Sequence, residues 1–251
     1  MLRVYLAGEL CVATDEVIIR SDRFPGRQGR LAFALLAMER GRPVARDELI
    51  ELLWAGEMPP SVDVALSAVI SKLRALMTLA GVGRQTINTA AGCYELRLPA
   101  GGWIDLEAAA SALHAAEAAV RKQAYADGYG PAVVANGILR RPFLPGDDGA
   151  WVDDRRRRLL DMQLRALDCL AEIHMWNREP ALALRAAGEA VELEPYREIG
   201  YRRLMQIHLT QGNRAESLRV YERLRLLLAA ELGTQPDAET RELFESVAAG
   251  R

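Results

Sequence analysis

Three histidines, three cysteines and thirty-four carboxylates are the residues of this 251-residue chain whose types could do catalytic or metal chemistry. Their spacing argues against it. Cys11, Cys93 and Cys169 are odd in number, far apart and outside any C-x-x-C pair, as reduced, mostly buried thiols would be. His174 and His208 lie in two stretches that match each other 34 residues apart, so they read as one packing or surface position met twice, and His114 stands alone. No G-x-S-x-G elbow and no G-x-x-x-x-G-K loop occurs. We therefore expect no enzyme, no cofactor and no metal. What remains is anion chemistry. In DVALSAVISKLRALMT (63–78), Val64, Ser67, Ala68, Ser71, Ala75 and Thr78 share one side of a helix at about 100° per residue, with Lys72 and Arg74 on its two edges. A slim face between two cations suits close approach to a polyanion.

The elements that position this helix come from hydrophobic periodicity. Val4, Leu6, Leu10, Val12, Val17, Ile18 and Ile19, with a polar turn at Thr14-Asp15-Glu16, predict a small antiparallel sheet. From Gly26 the period becomes helical through Leu31, Phe33, Ala34, Leu35, Leu36 and Met38, and Gly41 and Pro43 end that helix. A second helix starts near Arg46-Asp47-Glu48 and runs to Trp54, before Pro59-Pro60 breaks it. The third presents Leu66, Val69, Ile70, Leu73, Leu76 and Met77 to a core, with Ser61 or Asp63 as its N-cap. TINTAAGCYELRL then gives two short extended stretches about Gly92. Strands, three helices and a terminal hairpin are the order of a winged helix-turn-helix domain, whose third helix enters the major groove while its flanks meet phosphates.

The second half is almost purely helical. Offset by 34 residues, AEIHMWNREPALALR (171–185) falls over MQIHLTQGNRAESLR (205–219), so that Ile173, Ala181, Leu184 and Arg185 meet Ile207, Ala215, Leu218 and Arg219. That is the tetratricopeptide (TPR) period, and such units bury their apolar faces only by stacking. Less regular helices are expected over 104–140 and a short capping helix over 236–249. PAGG (99–102) marks the junction, which gives a winged-helix domain at 1–98 and a helical-repeat domain at 104–251, mainly α overall. The Asp153–Arg158 run opens a long helix as a solvated charged face. Trp151, Trp176, Tyr196, Tyr201 and Tyr221 read as packing residues.

Net charge is −2, and residues 1–98 carry 12 Lys+Arg against 11 Asp+Glu, so any nucleic-acid contact must come from a local patch. No apolar run is long enough for a membrane span and MLRVYLAGELCV lacks the pattern of a signal peptide, so a cytoplasmic protein is expected.

PGRQGRLAFALLAMERGRPVARDELIELLW, PPSVDVALSAVISKLRAL and AAGCYELRL together resemble the OmpR-type winged helix of the SARP family, the Streptomyces antibiotic regulatory proteins. The stretch EPYREIGYRRLMQIHLTQGNRAESLRVYERLRLLLAAELGTQPDAETRELF is similar to that family's bacterial transcriptional activator domain. The resemblance implies a transcriptional activator that binds direct-repeat promoter sites in double-stranded DNA as a homodimer, at least on DNA, and recruits RNA polymerase at secondary-metabolite genes. It places the DNA contacts at Arg27, Arg30, Arg46, Val64, Ser67, Ala68, Ser71, Lys72, Arg74, Ala75, Thr78, Asn88, Thr89 and Tyr94. Deleting residues 104–251 would then leave a folded domain that binds one half-site weakly and activates nothing. The alternative is a protein-interaction or effector-sensing regulator with TPR-like repeats and a degenerate winged helix.

Overall fold

A computed structural model describes residues 1–250 and divides them into two compact units, 1–109 with 138–158 and 110–137 with the residues from 159 on. In the first, β1 (Arg3–Tyr5), β2 (Cys11–Ala13) and β3 (Ile18–Arg20) form the expected antiparallel sheet. Val4 lies opposite Val12, and Val12 opposite Ile19, so one buried row crosses all three strands, as a period of two requires.

The three expected helices follow. Helix α1 (Gly26–Met38) buries every residue from Leu31 to Ala37. Strand β4 (Val44–Ala45) leads into α2 (Arg46–Leu53), and α3 spans Val62–Leu79. Of the two N-cap candidates for α3 the structure uses Ser61, whose carbonyl accepts from the Ala65 amide. The hairpin of β5 (Ile87–Ala90) and β6 (Cys93–Leu96) turns through Ala91 and Gly92, both with positive φ, the pair of left-handed residues that a two-residue turn needs to match strand twist. β6 also pairs with β4 to complete a three-stranded wing.

The first unit does not close at residue 98. Past the PAGG junction, β7 (Trp103–Ile104) pairs parallel to β1 at the sheet edge. The buried carboxylate of Asp105 accepts from the amides of Leu6 (2.9 and 3.0 Å), Ala7 (2.9 Å) and Leu106 (2.8 Å). Burial pushes this carboxyl above its ordinary value, against the pull of the three amides. A strap, residues 138–158, then returns to the same unit. The Gly8 amide donates to the Pro142 carbonyl at 2.8 Å, and Arg156 donates to the carbonyls of Phe143, Leu144 and Asp147 at 3.1, 2.9 and 2.8 Å. Phe143, Leu144 and Val152 are buried. The unit boundary thus differs from the junction read in the sequence.

Helices α4 (Asp105–Arg121) and α6 (Ala150–Trp176) contribute residues to both units, and α5 (Tyr125–Leu139) lies between them in the chain. α4 and α5 are regular where irregular helices were expected; Pro131 and three glycines blur the period of α5 without breaking it. The second unit continues with α7 (Pro180–Leu193), α8 (Glu198–Thr210), α9 (Arg214–Glu231) and α10 (Ala238–Ala249). Its turns repeat: Arg178 and Gly212, 34 residues apart, are both left-handed, and each next residue's amide (Glu179, Asn213) donates 2.8 Å to the carbonyl of His174 or His208. Small residues set the closeness of α7 and α8, since a Cβ at Gly200 would lie 2.8 Å from the Val191 side chain. Helix pairs of the expected period therefore stack around one core, with Tyr221 and Phe244 in contact at 4.0 Å against the last helix. His174 is buried with Nδ1 2.8 Å from Glu179, a packing position as expected.

Candidate nucleic-acid interface

The side of α3 opposite its core is open. Leu66, Ile70, Leu73, Leu76 and Met77 are buried, while Val64, Ser67, Ala68, Ser71, Lys72, Ala75, Thr78 and Leu79 are exposed, Val64 by 68%. The face expected from spacing is thus accessible in full. Two of its hydroxyls point back into the helix: Ser67 donates to the Asp63 carbonyl at 2.7 Å and Thr78 to that of Arg74 at 3.0 Å. Such bonds use up the one donor each hydroxyl has.

The cations around this face differ in availability. Lys72 is exposed and, among the described residues, forms no ion pair. It lines a shallow groove with Ile18, Arg23, Ala75 and Leu79. Arg74 is half-buried. It donates to the Ile87 carbonyl at 2.9 Å and to the Thr89 hydroxyl at 2.6 Å, so it ties α3 to the first wing strand while its charge stays uncompensated by a carboxylate. Arg46, at the start of α2, donates to Asp63 at 3.0 Å and to the Tyr94 hydroxyl at 3.2 Å. Tyr94 is buried, so it supports the wing from within. Asn88 is half-buried and Thr89 exposed on β5.

Two expected contact residues lie elsewhere. Arg30 forms a bidentate pair with Asp147 (2.8 and 2.7 Å), a strap carboxylate whose side chain is 1% exposed. That partner raises the Arg30 pKa further and leaves little charge to offer. Arg27 donates to the Asp148 carbonyl at 2.8 Å. The structure therefore gathers Val64, Ser67, Ala68, Ser71, Lys72, Ala75 and Thr78 on one surface, joins Arg46, Arg74, Thr89 and Tyr94 to it as supports, and engages Arg27 and Arg30 with the strap. Arg23, exposed beside Lys72, was missed by the sequence reading, because only the return of β3 toward α3 brings it there. Neutralising Lys72 (Lys72→Gln) should lower the slope of log K against log salt by about one unit on any DNA while leaving sequence preference intact. A changed preference with the old slope would refute that role.

A winged helix with an open third helix, followed by stacked helix pairs, defines the class: a winged helix-turn-helix protein with an appended helical-repeat domain. The chain belongs to the bacterial transcriptional activator domain family, whose model matches residues 104–248. Its relatives are transcriptional regulators. Regulatory protein AfsR of Streptomyces coelicolor is 30% identical over 227 residues, which is 88% of this chain but 22% of that protein. Transcriptional regulatory protein EmbR of Mycobacterium tuberculosis is 29% identical over 225 residues, 87% of this chain and 56% of EmbR. The chain thus spans only about a fifth of AfsR and about half of EmbR. A solved structure of M. tuberculosis EmbR, in complex with a low-affinity phosphopeptide, superposes with a TM-score of 0.91 over 100% of this chain and 65% of that one, at 23% identity, and shows the same fold. Together these findings bear out the resemblance to SARP-type regulators. No helix is long and apolar enough to cross a membrane among the described residues.

Proposed function

We propose that this protein is a sequence-specific DNA-binding transcriptional activator of the SARP type. Helix α3 enters the major groove with Val64, Ser67, Ala68 and Ser71 toward base edges, Lys72 meets a phosphate, and the wing strands carrying Thr89 run beside the adjacent backbone. The observation that carries this reading is the exposed, slim side of α3 with a free lysine at its edge. One winged helix reads only a few base pairs, so two copies on direct repeats about 10 to 11 base pairs apart supply the specificity a genome demands. The helical-repeat unit holds the copies together and engages RNA polymerase, at promoters of secondary-metabolite genes, in the cytoplasm.

The test is a footprint of the protein on its own upstream DNA, followed by respacing. Inserting about 5 base pairs between the protected half-sites turns the second copy to the opposite face and should abolish cooperative binding, while a full-turn insertion restores part of it. The rival reading, a protein-interaction or effector-sensing regulator, draws support from the internal engagement of Arg27, Arg30 and Arg46. Absence of any protected region, with protein partners still captured by the repeat unit, would favour it.

A further inference from the structure

We infer that α3 reads its site chiefly through thymine methyl groups, with Val64 and Ala68 as the specificity-determining residues. The inference rests on the DNA-binding reading above and concerns how that helix discriminates sequence. Base pairs are told apart in the major groove either by hydrogen bonds from long side chains, of which arginine to guanine and asparagine or glutamine to adenine are the commonest, or by apolar contact with the C5-methyl of thymine.

The first route is closed along this face. None of positions 64, 67, 68, 71, 75 and 78 carries an arginine, lysine, asparagine or glutamine. Two of the arginines that border it are committed to the protein: Arg74 reaches the Ile87 carbonyl and Thr89, and Arg46 reaches Asp63 and Tyr94. The third, Arg23, stands beside Lys72, Ala75 and Leu79, toward the C-terminal half of the helix and away from Val64. The hydroxyl protons of Ser67 and Thr78 are spent on helix carbonyls. Ser71 keeps a short hydroxyl, and Lys72 lies at the edge, some 80° from Val64 around the helix at about 100° per residue. What the helix offers to base edges near its N-terminal half is the isopropyl group of Val64, 68% exposed, and the methyl of Ala68 one turn on. A side chain with no polar atom gains from a groove only where the groove itself is apolar, and thymine's methyl is the one apolar group there.

The experiment substitutes deoxyuridine for thymidine, one position at a time, within the region the protein protects. This deletes the methyl and keeps every hydrogen-bonding group. At one or two positions in each repeat the unaltered protein should bind five- to twentyfold more weakly, and Val64→Ser should bind the thymine and uracil forms of that site within twofold of each other. Equal binding of thymine and uracil sites by the unaltered protein, with salt-dependent specific binding retained, overturns methyl readout and leaves DNA binding standing. A uracil penalty that persists undiminished in Val64→Ser overturns the assignment to that residue. Failure to bind any DNA overturns the parent reading and this one with it.

Discussion

Glutamate introduced at Ser67 and Ser71 together should weaken specific DNA binding by about 100-fold or more and barely change the melting temperature. Both positions are exposed on the side of α3 opposite its core, the side proposed to enter the groove. Each new carboxylate sits near phosphates, where like charges about 4 Å apart cost about 1 kcal/mol at the dielectric of water and about 4 at that of a protein surface. Two of them cost on the order of 3 kcal/mol, which is a factor of about 100 in affinity. The fold loses far less. The bond from Ser67 to the Asp63 carbonyl goes, and the carboxylate at 67 meets like charge one turn to either side, at Asp63 and at 71, which together cost roughly 0.5 to 1 kcal/mol. Binding therefore falls by several times more free energy than stability. A gel shift showing unchanged operator affinity would remove α3 from the interface.

The second large effect concerns the first compact unit. A chain ending at residue 98 should show no cooperative thermal transition, whereas the sequence-based expectation is that deleting 104–251 leaves a folded domain. It lacks β7, the Asp105 carboxylate and the strap. Ile104, Phe143, Leu144 and Val152 are each buried, and at about 1.5 to 3 kcal/mol per side chain their loss removes on the order of 8 kcal/mol. Whole domains are stable by about 5 to 15 kcal/mol. In the full chain, Asp105→Asn keeps the shape but turns an amide donor toward three N–H donors. It should cost on the order of 3 kcal/mol, since each buried unsatisfied group costs about 1 to 3. A sharp melt of the 1–98 chain, with Asp105→Asn as stable as the parent, would show that the strap and β7 are ornament.

Local signals were legible in the sequence and distant ones were not. The core and open faces of α3 follow from its periodicity: every residue named for the open side is exposed, and of those named for the core all but the half-buried Val69 are buried. The wing turn at Ala91-Gly92 and the 34-residue repeat are local in the same sense. Trp103-Ile104 is too short to read as a strand until β1, about 100 residues earlier, lies beside it. Arg30, Arg46 and Arg74 look like three equivalent surface cations in the sequence. Their partners, Asp147, Asp63 and Thr89 with the Ile87 carbonyl, stand 117, 17 and about 15 residues away, and only the tertiary structure pairs them. Charge counts on one segment therefore overstate what a groove-facing surface has to offer.

The strap also sets a timetable. Because residues 138–158 complete the unit that begins at Met1, a ribosome that has finished the wing has not yet supplied the pieces that close the sheet beneath it. At about 5 to 20 residues per second, the stretch from 98 to 158 takes roughly 3 to 12 seconds to synthesise. During that interval the nascent sheet keeps β1 as an unpaired edge and the amides of Leu6 and Ala7 without their carboxylate. Vectorial synthesis thus delivers α3 before the frame that holds it, and the first unit is complete only once the chain has been made through residue 158.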